Sequence, residues 1–170
     1  MRSISKLSNI STMATTMIYQ HTMNTPIGEL FIQASQRGLT YVGFKPIHLH
    51  SEQHNTHTQK ALQQLKEYFS GTRYEFDVEV DVYGTAFQKS VWEVLMMVPY
   101  GDTNTYSWMA NRLNNPKAVR AVGSANGKNP ISIIVPCHRI IGANGTLTGY
   151  AGGVEKKAWL LEHEQQNRKT

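Results

Sequence analysis

The chain has 170 residues, 40% of them apolar, and one cysteine. No run approaches the ~18 consecutive apolar residues of a membrane span, and a lone thiol excludes an internal disulfide framework, so the expectation is a cytoplasmic globular protein with no membrane partner. The net charge of +5 is uneven, with seven basic and seven acidic residues over 1–84 against ten and five over 85–170, which points the second half toward a polyanion such as nucleic acid.

Residues 1–16, "MRSISKLSNISTMATT", are rich in Ser and Thr, carry Arg2 and Lys6, and lack the apolar core of a secretory signal. They read as a disordered extension or as sequence upstream of a start at Met13 or Met17, with a transit peptide as the alternative. From Met17 the pattern turns strand-like. "MIYQHT", "GELFIQAS" and "LTYVGF" are separated by turn residues and predict a small antiparallel meander. "KPIHLHSEQHNTHT" reads as polar loop. Its histidines His48, His50, His54 and His57 lack a cysteine and have only Glu52 nearby, so no metal is expected. "ALQQLKEYF" predicts a helix with Leu62, Leu65 and Phe69 on its inner stripe, stopped at Ser70-Gly71. "YEFDVEVDV" predicts a further strand or an extended linker, and a domain boundary is placed at Gly84, giving domains over 17–84 and 85–170.

The second half reads as helical. Thr85 is a cap for a helix presenting Phe87, Val91, Val94, Leu95 and Val98 on one face. "YSWMANRL" predicts a short helix, "NNP" a tight turn, and Pro116 opens a second helix running to Gly127. Two short helices around so brief a turn resemble a helix-turn-helix, a pattern that core helix pairs share. The second has almost no bulk: Ala118, Ala121, Gly123 and Ala125 leave Lys117 and Arg120 as its long side chains. That composition fits either tight internal packing or close approach to a DNA groove. "ISIIVP" predicts a buried strand leading to Cys137, and "GANGTLTGYAGG" a glycine-rich cover over a pocket. The last helix is expected to turn Val154, Ala158 and Leu161 inward, with Glu164 also reaching the interior.

Cys137 is either a small buried residue or a nucleophile. A nucleophilic thiol needs a base and a group to orient that base, and His138 and Glu164 are the candidates. In a strand, residues 137 and 138 would face opposite ways. The chain must therefore turn at Pro136-Cys137, or His138 must act through water.

The stretch "NPISIIVPCHRIIGANGTLTGYAGGVEKKAWLLEHE" resembles the signature region of the O6-alkylguanine-DNA alkyltransferases, the methylated-DNA–protein-cysteine methyltransferases. The likeness runs from Phe87 to Glu164 and, more weakly, through "TPIGEL" and "LKEYFSG". It implies an α+β fold, with a small ribonuclease-H-like antiparallel sheet domain before a mainly helical domain carrying the helix-turn-helix. The implied reaction is direct reversal of DNA damage. The alkyl group of O6-alkylguanine, or of O4-alkylthymine, in double-stranded DNA passes once and irreversibly to Cys137, with no cofactor and in a monomer. By the same resemblance His138 is the water-linked base, Glu164 its polarising partner and Asn129 a brace. Tyr106 assists extrusion and protonates the leaving base, and Arg120 fills the vacated stack. Lys117, Ala118, Ala121 and Gly123 lie against DNA, and Ile140, Tyr150 and Ala151 line the pocket. Ala151 departs from relatives with serine there, and the cysteines of a zinc site found in some relatives have no counterpart. The rival readings are a DNA-lesion-binding or regulatory helix-turn-helix protein, which would not modify its ligand, and a Cys-His-Glu hydrolase, which would turn over.

Overall fold

The hairpin that begins the fold is closed by Thr25, whose hydroxyl donates to the Gly28 carbonyl and accepts from the Ile27 amide. In the computed structural model, which describes residues 17–48 and 53–168, Gly28 takes a φ of 123° that side chains rarely adopt. The expected extension over 1–16 lies outside the described residues, as does His50. Strands β1 (Tyr19–Thr25), β2 (Gly28–Ala34) and β3 (Leu39–Gly43) form an antiparallel meander in the order β1-β2-β3. Helix α1 (Thr56–Phe69) packs on β1 and β2 and starts earlier than the apolar stripe predicts. An Asn55–Thr58 capping box supplies its first turn. Tyr68, not Phe69, is its deepest aromatic side chain and has no exposed surface.

The free edge of β3 reaches toward the second half of the chain. Leu39 bridges Val80, so "YEFDVEVDV" is an extended linker with a single pairing. Val42 donates to Pro130 O and accepts from Ser132 N, each within 2.9 Å. The sheet is thereby tied to the segment that leads to Cys137.

Helix α2 (Ala86–Leu95) carries the expected Thr85 cap, completed as a box by Gln88. Its Trp92 donates to Ala125 O at 2.9 Å. A two-residue strand, β4 (Asn104–Thr105), runs directly into α3 (Tyr106–Arg112). The turn that follows is a Schellman closure. Asn115 N bonds Ala110 O and Asn114 N bonds Asn111 O, with Asn114 at a φ of 57°. Helix α4 (Val119–Gly127) therefore begins three residues later than Pro116 predicts. Pro116 and Lys117 stay in the turn, so Arg120, and not Lys117, is carried by the helix. A one-turn 3-10 helix (Cys137–Arg139) leads into β5 (Ile140–Ile141), which pairs in parallel with β4.

The last helix, α5 (Val154–Gln166), corrects the predicted inner face. Val154 and Ala158 are exposed, and the buried positions are Lys157, Leu160, His163 and Glu164. Binary patterning misassigns the helix because three of its four inner side chains are ionisable.

Candidate active site

"ISIIVP" is not a strand. After Ile131 bridges β3, the chain coils through Ser132–Val135, with Ile133 at a φ of 72°. A β-branched side chain rarely tolerates that region, and surrounding contacts must hold it there. Ile133 is 1% exposed. Asn129 is the staple: its Oδ1 accepts from Ile131 N at 3.0 Å and its Nδ2 donates to Val135 O at 2.8 Å. The chain then turns at Pro136-Cys137, which removes the strand objection. Cys137 and His138 share one 3-10 turn.

Both are buried, Cys137 at 6% exposure and His138 at 0%. His138 Nε2 lies 2.6 Å from Glu164 Oε2. Its Nδ1 is buried with no hydrogen-bond partner among the described residues. An anionic carboxylate only accepts, so Nε2 carries the hydrogen and Nδ1 is left with a free lone pair.

Sequence reasoning assigned no role to three further side chains here. Arg139 donates from Nε to Glu164 Oε1 at 2.8 Å, from Nη2 to Oε2 at 3.1 Å, and from Nη1 to Val98 O at 2.8 Å. Tyr68 donates to Glu164 Oε2 at 2.7 Å, and the Gly101 amide donates to Oε1 at 3.1 Å. Lys157, without exposed surface, donates from Nζ to Thr148 O at 2.8 Å. Arg139 stands in the quoted "PCHR" and could have been flagged as a basic side chain beside the nucleophile. Tyr68 and Lys157 leave no local signal.

The electrostatics follow from this wiring. Burial alone would raise the Glu164 carboxyl, but the His138 and Arg139 contacts hold it far below the usual carboxylate range. Burial, aided by Arg139 and Lys157, lowers His138 against the pull of Glu164, so the imidazole is neutral and ready to accept a proton. Burial pushes the Cys137 thiol up, while the Asn129 amide and the Lys157 charge pull it back. Burial lowers Lys157. The thiol is therefore protonated at rest and needs a base.

A cleft of about 550 Å³ is lined by Tyr106, Val119, Arg120, Gly123, Gly127, Thr148, Gly149, Tyr150 and Ala151. It brings five of the predicted residues together. Tyr150 also reaches inward, buried near the thiol. Arg120 is exposed at the cleft, and Lys117 and Ala121 are exposed beside it. Ala118 is the uncapped start of α4. A Cβ on Gly123 would meet the Tyr106 ring at 3.8 Å, an ordinary contact, and one on Gly127 would meet nothing. Internal packing thus does not demand glycine at 123 or 127, whereas Ala125 is buried against α2. Tyr106 is half-buried, with its hydroxyl 3.3 Å from Thr148 Oγ1. Ile140 stands apart: its side chain is fully buried in the core and it does not line the cleft. A larger cavity, about 790 Å³, is lined by Tyr74, Tyr100, Pro136, Arg139 and others but by none of the cleft residues. Among the described residues no group of three or more His, Cys, Asp or Glu side chains is placed to hold a metal ion.

Residues 18–82 match the family described as "6-O-methylguanine DNA methyltransferase, ribonuclease-like domain", and residues 86–166 its "DNA binding domain". A Methylated-DNA--protein-cysteine methyltransferase of Methanosarcina acetivorans is 46% identical over 153 residues, which is 86% of this chain and 98% of the relative. The O6-methylguanine methyltransferase of Mycobacterium tuberculosis superposes with a TM-score of 0.82 at 43% identity, over 91% of this chain and 96% of the other. The same organism's OGT in complex with DNA gives 0.81 at 44% identity, over 88% of this chain and 94% of the other.

Proposed function

This chain belongs to the 6-O-methylguanine DNA methyltransferase family, and from that premise we infer how its own residues carry the reaction. It repairs DNA directly: an alkyl group leaves O6 of guanine in double-stranded DNA and bonds to the protein's own cysteine. The observation that carries the residue assignment is the single thiol beside a buried histidine whose far nitrogen is fixed 2.6 Å from a carboxylate.

The thiol proton of Cys137 passes through one bridging water to Nδ1 of His138, and Glu164 stabilises the imidazolium that forms. The Cys137 sulfur then attacks the alkyl carbon in line with the carbon–oxygen bond. That bond breaks, its electron pair stays on guanine, and the Tyr106 hydroxyl donates a proton to the departing base. Reprotonation of Tyr106 balances the step, so the thiol hydrogen is in effect exchanged for the alkyl group. The carbon–sulfur bond of the thioether formed has no easy reverse, so each molecule acts once. Flipping the nucleotide out costs a few kcal/mol, which stacking in the pocket and the inserted Arg120 offset. Lys117 holds phosphate, while Ala118, Ala121 and Gly123 let α4 lie close to the duplex. Tyr150 and Ala151 wall the pocket, Ile140 supports it from the core, and Asn129 braces the turn. O4-alkylthymine fits the same chemistry. The division between sheet domain and DNA-binding domain falls at Gly84. Among the described residues no helix is long and apolar enough to cross a membrane, and a reactive thiol kept free suits the cytoplasm.

Intact-mass and peptide mapping after exposure to a duplex containing O6-methylguanine test this reading. The expected result is one methyl group on Cys137 per repaired lesion. Repair with Cys137 unmodified, or sustained turnover, would refute it; binding without modification would return the protein to the lesion-binding class.

A further inference from the structure

Glu164 carries more donors than a proton relay needs. A carboxylate offers about four lone-pair sites, yet this one takes five hydrogen bonds from four residues. His138, Tyr68 and Arg139 Nη2 meet on Oε2, while Arg139 Nε and the Gly101 amide meet on Oε1. Arg139 supplies the countercharge, and with Gly101 it fixes Oε1. The Tyr68 hydroxyl does neither. It is neutral, comes from α1 in the other half of the molecule, and lies 2.7 Å from the oxygen that His138 uses.

We propose that Tyr68 is a positioning residue for alkyl transfer, holding Glu164 from the N-terminal half and, by sharing Oε2 with His138, setting how strongly His138 Nδ1 takes a proton. The inference rests on the relay described above. A donor to a carboxylate weakens that carboxylate as an acceptor for its other partners. Tyr68 is a constant donor, because burial first and then the Glu164 charge hold its phenol well above the ordinary range. Facing His138 are Glu164 and Lys157 from α5, and Cys137 and Arg139 from its own turn. Tyr68 from α1 and Tyr100 from the loop before β4 act on it through Glu164. Only Glu164 favours the imidazolium; Arg139 and Lys157 oppose it. Removing the phenolic O–H leaves Oε2 to His138 and Arg139 Nη2 and strengthens the one favourable contact. The Tyr68 ring packs edge-on against Phe69 and Tyr100, contacts that phenylalanine keeps.

The test compares the full-length wild type, Tyr68→Phe and Glu164→Gln. Single-turnover transfer is measured against pH on an O6-methylguanine duplex and on free O6-benzylguanine, beside a nitrogen-15 NMR titration of His138. In Tyr68→Phe the acid limb should move up by roughly half a pH unit on both substrates, and the NMR midpoint should move with it. Glu164→Gln should move both down. If Tyr68→Phe does not fold, 3-fluorotyrosine at position 68, a stronger donor of nearly the same shape, should shift the His138 midpoint down. An unmoved midpoint, or a rate loss equal at every pH, overturns the proposal and leaves Tyr68 a packing residue. An NMR shift without a matching rate shift supports the Tyr68–His138 coupling and overturns instead the relay on which it rests.

Discussion

Replacing Arg139 with methionine removes the countercharge of Glu164 while keeping most of the buried volume. Three hydrogen bonds go: two to the carboxylate and one to Val98 O. The side chains of Arg139 and Glu164 are 8% and 1% exposed, so water does not readily replace what is lost. Breaking one partner of a buried ion pair costs about 3–5 kcal/mol. Here Tyr68, Gly101 and His138 still donate to the carboxylate, which places the loss at the lower end, about 3–4 kcal/mol. Total stabilities run to roughly 5–15 kcal/mol, so the variant should fold at 25 °C with its Tm lowered by roughly 10 °C. Urea unfolding followed by fluorescence and circular dichroism measures the loss. Adding Glu164→Gln to Arg139→Met should recover part of it, because the unpaired charge is then gone. A loss under about 1 kcal/mol in the single variant, or a double variant whose losses simply add, would refute the view that this pair is a buried charge held by its partner.

The pH dependence of stability has a defined sign. Glu164 is held below its unfolded value of 4.5 and His138 below 6.5, so both contributions are complete above those values and fade as pH falls. Stability should therefore decline from about pH 6.5 downward and more steeply below about 4.5, and Glu164→Gln should flatten the steeper part in urea titrations at stepped pH. Arg120→Ala should slow repair of duplex DNA far more than transfer from free O6-benzylguanine, since only the duplex requires extrusion; equal losses would assign Arg120 to the pocket or fold instead. Lys117→Ala should lower the salt slope of duplex binding by about one charge with little effect on the transfer rate, as read from binding isotherms at several salt concentrations.

Local rules reached some of this molecule and not the rest, for identifiable reasons. The meander, the Thr85 cap and the short helix from Tyr106 follow from side-chain period and capping chemistry, which act within a few residues. The pairing of Cys137, His138 and Glu164 was legible because reactive residue types are few in a chain with one thiol. The path of 131–136 was not, since nothing in a β-branched run announces a left-handed Ile133; Asn129 and the β3 edge impose it. The inner face of α5 was misassigned because Lys157 and His163 look like solvent residues until their surroundings are known. Such surroundings can come from afar: the Tyr68 carbonyl that His163 meets lies 95 residues away. Arg139 was in view but carried no role, since its acceptor sits on another element.

The parallel pairing of β4 with β5 is only two residues long, yet both ends matter. Tyr106 follows β4 directly, and the turn bearing Cys137 ends where β5 begins. The first helix of the helix-turn-helix and the turn that bears the thiol are therefore tied together by the same two-residue pairing. In the proposed reaction that tie sets the sulfur's place relative to α3, and the flipped nucleotide is the part that travels to meet it.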